Sequence, residues 1–510
     1  MKILTAKQTR ECDAFTIKSS KISSWDLMER AASRCAEWIS KRLNRSYNFL
    51  IVCGTGNNGG DGLAISRMLL ETGYSCTTWI VPSNGSRTPD NNINLKALEK
   101  LDSAKIHFLD EAEFPLIASE QTIIIDALFG SGLNRPLEGI YAKLVSHLNA
   151  QNADRIALDI PSGLFADEAP IDKSIIFNAD HTLSFQLYKR SFLHPESGKF
   201  TGEIHLLDIG LDGDFIQNTD TSFEVLDANL AKKLHKIRNP FSHKGTFGTA
   251  LIAAGQRGMM GAATLSVKAV LRSGAGKVMA LIPNRGLDIV QTSIPEATCF
   301  VAGIDYLSDL SSTSDSKTLD LGEFQSIAIG PGIGTHYETA SFIKQLFDQS
   351  IENLILDADA LNILAENKSW LHELPKNTII TPHPGEFARL FGPSKNSFDQ
   401  LDLAREKAHE LGLIIILKGH HTTINTPDGL TYYNVSGNSG MATGGSGDVL
   451  TGILAGLLAQ RYSPLESAQL GVYIHGVAGD FAAQSTSQES LIASDIIANL
   501  GAAFRSITRY

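Results

Sequence analysis

Gly437-Asn-Ser-Gly-Met-Ala-Thr-Gly-Gly-Ser-Gly-Asp448, followed by Val449-Leu-Thr-Gly-Ile-Leu-Ala-Gly-Leu-Leu458, is the stretch on which the reading of this chain turns. Gly440, Gly444, Gly445 and Gly447 make a loop poor in side chains, and the apolar residues after it fall where a buried helix would place them. A glycine-rich loop entering a helix presents free backbone N–H groups and the positive end of the helix dipole, which suits a phosphate. Asp448 stands at the junction, where a carboxylate either caps the helix or takes a proton from a substrate hydroxyl. Taken alone, the stretch fits a plain capped helix equally well. The rest of the chain must supply a nucleotide and a hydroxyl for the other reading to hold.

Outward from this loop, the second half alternates apolar runs with distinctive turns. A basic loop, Arg238-Asn-Pro-Phe-Ser-His-Lys-Gly-Thr-Phe-Gly248, precedes a strand over 249–254, and Gly255-Gln-Arg-Gly-Met-Met-Gly-Ala-Ala263 enters a helix through Arg272. Its small residues allow either a flat ligand or close helix packing. Further strands at 326–329, 354–357, 378–380 and 413–417 run into Gly-Pro-Gly-Ile-Gly334, Ala-Asp-Ala-Leu-Asn362, Thr-Pro-His-Pro-Gly-Glu386 and Lys418-Gly-His-His-Thr422. Such alternation predicts a largely parallel, doubly wound sheet with its site at the carboxyl ends of the strands. There, Lys418 is a phosphate contact or a solvated side chain. His383 is an acid–base or substrate contact, or a hydrogen-bonded turn residue.

The first half has its own α/β series. Trp25-Asp-Leu-Met-Glu-Arg-Ala opens a helix with Asp26 and Glu29 spaced as a capping box. A buried strand over 49–53 feeds Gly54-Thr-Gly-Asn-Asn-Gly-Gly-Asp-Gly62, and a helical pattern follows from Leu63 to Glu71. Gly54, Gly56 and Gly59 satisfy a dinucleotide fingerprint, but the next strand, around 77–81, runs into Pro-Ser-Asn-Gly without an acid for a ribose hydroxyl. A dehydrogenase site is therefore disfavoured, and the polar Asn57–Asp61 centre looks built to touch a ligand or ion. Asp126 and Asp159 each end an apolar strand, so both should converge on the 54–62 loop, although for an Asp taken alone a turn former or N-cap is the more common role. Closing strands are expected over 179–185 and 202–210, with a linker over 212–222.

At 510 residues the chain exceeds one ordinary core, and 43% hydrophobic residues with a net charge of −11 suit a soluble α/β protein without nucleic-acid or membrane partners. Cys12, Cys35, Cys53, Cys76 and Cys299 lack the paired spacing of metal or redox sites and read as free thiols. With no signal-like apolar start, a cytoplasmic protein is expected. The domains are expected at 1–215 and 224–510.

The order Thr-Pro-x-x-x-Glu, Lys-Gly-x-His, Gly-Ser-Gly-Asp resembles the ribokinase-like superfamily and its vitamin-precursor kinases. Those kinases generally carry Asn where this chain has His383. That departure, with His243-Lys-Gly-x-Phe-Gly248 and Asn438 to Asp448, is similar to the ADP-dependent NAD(P)H-hydrate dehydratases. The first half, through Gly54 to Gly62, Asp126-Ala-Leu-Phe-Gly-x-Gly132 and Leu158-Asp-Ile-Pro-Ser-Gly163, resembles the NAD(P)H-hydrate epimerases. The resemblance covers nearly the whole chain, in the domain order of the bacterial bifunctional repair enzymes, and implies a Rossmann-like sandwich followed by a ribokinase-like domain.

The resemblance further implies residue roles. In the epimerase half, Asn58, Asp126 and Ser162 would hold K+. Asn57, Asn58, Gly59, Gly60 and Asp61, the loop Gly130, Ser131, Gly132, Leu133, Asn134, Arg135 and Pro136, and Asp159 would hold the hydrated nucleotide, with Asp159 as acid–base group. In the dehydratase half, Lys418, Gly419, His420, His421, Thr422 and Gly447 would bind ADP with Mg2+. Ala262, Ala263, Gly334, His383 and Asp448 would contact the hydrate, with Asp448 as the base. A homo-oligomer acting on NAD(P)H hydrates and ADP is expected. The rival reading is a vitamin-precursor kinase fused to a binding domain.

Overall fold

Buried aliphatic runs build two separate sheets in the computed structural model, which describes residues 1–82, 85–109, 114, 121–308, 319–349 and 351–508. The fold divides into two units. One comprises Lys2–Thr221 with Asn396–Phe398; the other comprises Met1, Ser222–Lys395 and Asp399–Tyr510.

The first unit holds β1 (Asn48–Cys53), β2 (Ser75–Ile80), β3 (Lys105–Phe108), β4 (Thr122–Ala127), β5 (Asp154–Leu158), β6 (His181–Phe185) and β7 (Glu203–Leu207). Their order is β3-β2-β1-β4-β5-β6-β7, parallel throughout. The chain reverses direction across the sheet between β1 and β4, so the loops after these strands open side by side. Both faces are covered. One core gathers Ile51, Ile65 and Ile125, the other Val52, Ile124 and Leu144. Burial on both sides explains why the strands read as continuous apolar runs rather than alternating ones.

Local chemistry sets the helix boundaries. α1 (Ala6–Ser20), which the sequence pattern did not suggest, is closed by a Thr5–Gln8 capping box. α2 (Ser24–Arg42) is capped by Ser23 with Asp26 as its partner, one turn earlier than an Asp26–Glu29 box would place it. α3 spans Asn57–Glu71 rather than starting at Leu63. Its start is driven into the sheet: a Cβ on Gly59 would stand 2.0 Å from the Gly54 carbonyl oxygen, and one on Gly62 2.5 Å from Ala127 Cβ. The glycine pattern thus includes close helix–strand packing, while Gly56 has open space around it. The stretch expected as a linker folds in part, since Asp212 caps a short helix, Gly213–Asn218. The turn after β2 includes residues 83 and 84, which lie outside the described residues.

In the second unit, β8 (Phe223–Leu226), β9 (Thr249–Ala253), β10 (Lys277–Ile282), β11 (Thr298–Val301), β12 (Ser326–Ile329), β13 (Leu354–Leu356), β14 (Ile379–Ile380), β15 (Ile414–Leu417), β16 (Thr423–Asn425) and β17 (Thr431–Asn434) form one sheet. Its order is β11-β10-β9-β12-β13-β14-β15-β16-β17-β8. The sheet is parallel from β11 to β15. It then turns antiparallel at β16 and β17, and β8 pairs parallel with β17 at the far edge. The helix Ser446–Ala459 lies against the helix Met260–Arg272. Gly452 and Gly456 permit that approach: a Cβ on either would meet Ser266 O at 2.2 Å or Ser273 Cβ at 2.9 Å. Among the described residues no helix is long and apolar enough to cross a membrane.

Candidate active sites

In the second unit the site forms where the Gly437–Asp448 loop meets its helix. Gly445 takes the N-cap position with φ +90°, and no side chain caps the helix. Asp448 is therefore not a cap. It sits half-exposed in the first turn, where backbone N–H groups lack intrahelical acceptors. Asp480, from the neighbouring helix, anchors the loop by accepting from Gly437 N at 2.9 Å and Asn438 Nδ2 at 3.0 Å.

A cavity of about 620 Å3 opens at this helix start, a size suited to a nucleotide. Lys418, Gly419, His420 and Thr422 line one side; Gly437 to Ser439, Ser446 and Gly447 line another, with His383, Asn434 and His475 also facing it. Lys418 is aimed by acids: its Nζ lies 2.8 Å from Asp357 Oδ1 and 3.8 Å from Glu386 Oε2. Asp357 is buried and also accepts from Thr451 Oγ1 at 2.7 Å. Burial acts to raise its pKa, but the Lys418 ammonium and these bonds outweigh that and hold it below the usual value. Burial raises Glu386 despite Lys418. For Asp448, burial first and then the charges of Asp357 and Asp359 push the carboxyl up to about 7, against the pull of Lys418. That value suits a group that must accept a proton near neutrality.

His383 has two tasks. Its Nδ1 accepts from Gly385 N at 3.0 Å and Glu386 N at 3.4 Å, while Glu386 Oε2 accepts from His383 N at 2.8 Å, a capping box for the helix Pro384–Phe391. These bonds assign the ring proton of the neutral form to Nε2, which lies 3.5 Å from Glu386 Oε1, while the residue also lines the cavity. His421 turns away from the cavity: it is absent from the lining, its Nδ1 is 3.2 Å from Asn434 O, and burial pushes it down to about 4. Ala263 is fully buried in the core, so Ala262 is the member of that pair with exposed surface. Gly334, at φ +72°, donates its N–H to Asp359 Oδ2 at 2.9 Å. A side chain there would strike Gln256 at 2.4 Å.

In the first unit, Asp159 follows β5 with φ +62°, a strained conformation for a residue with a side chain. Its Oδ1 meets Lys189 Nζ at 2.8 Å and its Oδ2 accepts from Ser131 N at 3.1 Å. Burial raises this carboxyl, but the Lys189 ammonium and the bonds from Lys189 and Ser131 bring the net value below the usual range. Two further acids feel its charge. Asp61 is held well above the usual carboxylate range by burial and then by Asp159, and Asp13 of α1 rises to about 6 for the same reasons.

Gly130 marks a close approach in this arrangement. A Cβ there would be 3.3 Å from Asp159 Oδ2 and 3.6 Å from Asn58 Cγ, so the loop after β4 passes directly beside both groups. Asp126 and Ser162 meet nearby: Asp126 accepts from Ser162 Oγ at 2.7 Å, Ser162 N at 2.8 Å and Leu128 N at 3.1 Å. Burial pushes Asp126 up to about 6 in spite of those bonds. Asn58 is buried with neither side-chain oxygen nor nitrogen hydrogen-bonded. Gly59 and Gly60 are buried too, packed against Gly54 and Met28, so in this stretch Asn57 and Gly56 present the exposed surface. Ser131, Leu133 and Pro136 are half-buried and Gly132, Asn134 and Arg135 exposed.

Sequence reasoning passed over Lys189, Asp13, His475, Asp480 and Asp359. Asp357 carried the signal that found Asp126 and Asp159, an acid at the end of an apolar strand. Lys189 and His475 carried none: the first is a buried lysine far along the chain, and the second an isolated histidine in the small and apolar middle of its helix. His475 Nε2 lies 3.0 Å from Ser446 O, and burial with the Lys418 charge pushes its ring down to about 4.

Comparison with known proteins finds relatives for both halves of the chain. Residues 250–500 match a family described as NAD(P)H-hydrate dehydratase, and residues 24–191 match the YjeF-related protein N-terminus. The bifunctional NAD(P)H-hydrate repair enzyme Nnr of Moorella thermoacetica is 34% identical over 515 residues, covering 98% of this chain and 95% of that one. The enzyme of the same name from Escherichia coli is 32% identical over 482 residues, covering 94% and 89%. Among solved structures, the ADP/ATP-dependent NAD(P)H-hydrate dehydratase of Bacillus subtilis is 30% identical, with a TM-score of 0.49 over 57% of this chain and all of that one. With such identity along almost the full length of both chains, this protein belongs to the bifunctional NAD(P)H-hydrate repair enzyme family.

Proposed function

We propose that the two units share one repair, the first interconverting the (R) and (S) epimers of NAD(P)H hydrate and the second dehydrating the (S) epimer at the expense of ADP. The observation that carries this reading is the position of Asp448. A carboxyl raised to about 7 stands in the first turn of a helix whose free N–H groups and Lys418 border a nucleotide-sized cavity. Asp448 takes the proton of the hydrate's hydroxyl as that oxygen attacks the β-phosphate of ADP and AMP departs. N–H groups of Gly445 to Asp448 stabilise the charge on the moving phosphoryl group. The ring nitrogen's electron pair then expels phosphate from the neighbouring carbon to give an iminium, and loss of a proton from the next ring carbon restores the dihydronicotinamide ring. NAD(P)H, AMP and phosphate are the products, which balances hydrate plus ADP.

Mg2+ would enter with ADP. Asp357 and Glu386 are the oxygen donors that would hold it, and the burial-raised Glu386 beside Asp357 marks an excess of negative charge that a cation relieves. Bound Mg2+ would offset phosphate charge. In the first unit, K+ would take oxygen from Asn58, Asp126 and Ser162. The unpartnered, buried Asn58 side chain and the buried Asp126 fit such an ion. Asp159, kept ionised by Lys189, is the acid–base group of the epimerisation. We further infer a cytoplasmic homo-oligomer, consistent with five free cysteines.

Incubating (S)-NADH hydrate with ADP and Mg2+ tests the second site. Recovery of reduced-nicotinamide absorbance with matching AMP and phosphate is expected. Accumulation of a stable phosphorylated hydrate would instead make the second unit a kinase.

A further inference from the structure

We propose that His181, Glu203 and His205 form a binding site for a divalent transition-metal ion of the Zn2+ class, clipping the edge strand of the first unit's sheet to its neighbour. The strand register builds the site. β6 and β7 are parallel, with His181 beside Glu203 and Leu183 beside His205. Glu203 and His205, two apart on β7, therefore share one face, and His181 joins them from β6.

The donor atoms form a compact triangle. His181 Nδ1 is 3.1 Å from His205 Nε2, and Glu203 Oε2 is 3.6 Å from the first and 3.7 Å from the second. A point about 2.0 Å from all three atoms lies within that triangle, matching Zn–N bonds of about 2.0–2.1 Å and Zn–O bonds of about 2.0–2.2 Å. An imidazole–imidazole hydrogen bond would account for the shortest side alone. It leaves unexplained why a carboxylate oxygen sits nearly equidistant from both nitrogens, too far from either for a good hydrogen bond. Two imidazoles and one carboxylate make a borderline ligand set that favours Zn2+, Co2+ or Ni2+ over Mg2+ or Ca2+, and three protein ligands leave a fourth position for water.

The surroundings support an occupied triangle. Trp38 of α2 lies beneath the rings, with centroid distances of 5.3 Å to His181 and 4.7 Å to His205, fixing their planes. Arg42, over the Trp38 ring at 4.5 Å, opposes a bound cation. His181 and Glu203 open their strands, whereas Asp159 follows the end of β5, so in this parallel sheet the triangle lies at the end opposite the epimerase site. Its role is to hold the edge strand, not to take part in catalysis.

The test uses the full chain, stripped with a chelator and then titrated with Zn2+ alone. Expected is one more Zn2+ per chain than in H181A/H205A, measured by metal analysis after dialysis, with a rise in the melting temperature of wild type only. Glu203→Gln, which alters an exposed side chain and so spares folding, should weaken that Zn2+ at least tenfold and leave epimerase activity unchanged. Ni2+ should quench Trp38 emission, a signal lost in W38F. Equal Zn2+ content and affinity in wild type, E203Q and H181A/H205A would overturn the proposal, as would Ni2+ quenching that is the same in wild type and W38F.

Discussion

Lys189→Met leaves Asp159 buried among acids without its cation. The two charged atoms are 2.8 Å apart and their side chains are only 4% and 11% exposed. Unit charges at that separation attract by about 6 kcal/mol at an effective dielectric constant of about 20. Removing one partner of such a pair costs about 3–5 kcal/mol in practice, because the survivor stays buried and charged. Asp61 and Asp13 enlarge the effect, since each already feels the charge of Asp159. The sign with pH follows from linkage. Asp159 is depressed in the native protein, so its contribution is present above the unfolded-state pKa and is lost as pH falls through the native value. Without Lys189 the carboxyl is raised instead, and the deficit of the variant is largest near neutral pH and shrinks toward the carboxylate range. Urea unfolding followed by tryptophan emission, with Trp25, Trp38 and Trp79 in this unit, reads both quantities. A deficit of about 3–5 kcal/mol near pH 7 that narrows on acidification is expected, together with slower epimerisation. A deficit below about 1 kcal/mol, or one independent of pH, would refute the pairing.

Asp448→Asn should lower dehydration by about 100-fold to 10,000-fold while calorimetry finds near-normal ADP affinity, because the carboxylate acts on the hydroxyl rather than on the nucleotide. In the wild type the dehydration rate should climb with pH through about 7, as Asp448 ionises. Asp359→Asn removes a charge that raises Asp448 and should move that limb to lower pH; a limb moving upward would contradict the assignment. Gly59→Ala would press a methyl group within 2.0 Å of the Gly54 carbonyl oxygen and should cost at least about 1–3 kcal/mol in urea unfolding. Ser23→Ala, which breaks the box at the start of α2, should cost only about 1 kcal/mol in the same assay.

The strands that carry the sites were legible because they are buried on both faces, so Phe49–Cys53, Thr122–Asp126 and Leu413–Leu417 announce themselves as unbroken apolar runs. α1 was not, because only Cys12 and Thr16 along it are buried and the apolar stripe is thin. The start of α3 was hidden because Asn58 and Asp61 are polar yet buried, which erases the periodicity that marks a helix. The short strands β16 and β17 carry Thr, Asn and Tyr, and their place in the sheet comes from pairing rather than from an apolar run. At the sites, motif residues on the loops could be read in order along the chain. Their supports could not, since Lys189 reaches Asp159 from 30 positions away and Asp480 reaches Asn438 from another helix.

A solution holding both epimers of NADH hydrate, with ADP, Mg2+ and K+, tests the shared repair most directly. With the full chain, reduced-nicotinamide absorbance should recover for the whole hydrate pool, with one AMP formed per NADH regained. With Asp159→Asn, recovery should halt near the share of the (S) epimer and then creep at the uncatalysed rate. Full and rapid recovery in that variant would contradict the assignment of Asp159. Failure of the native chain to regenerate any NADH would contradict the reading of both sites.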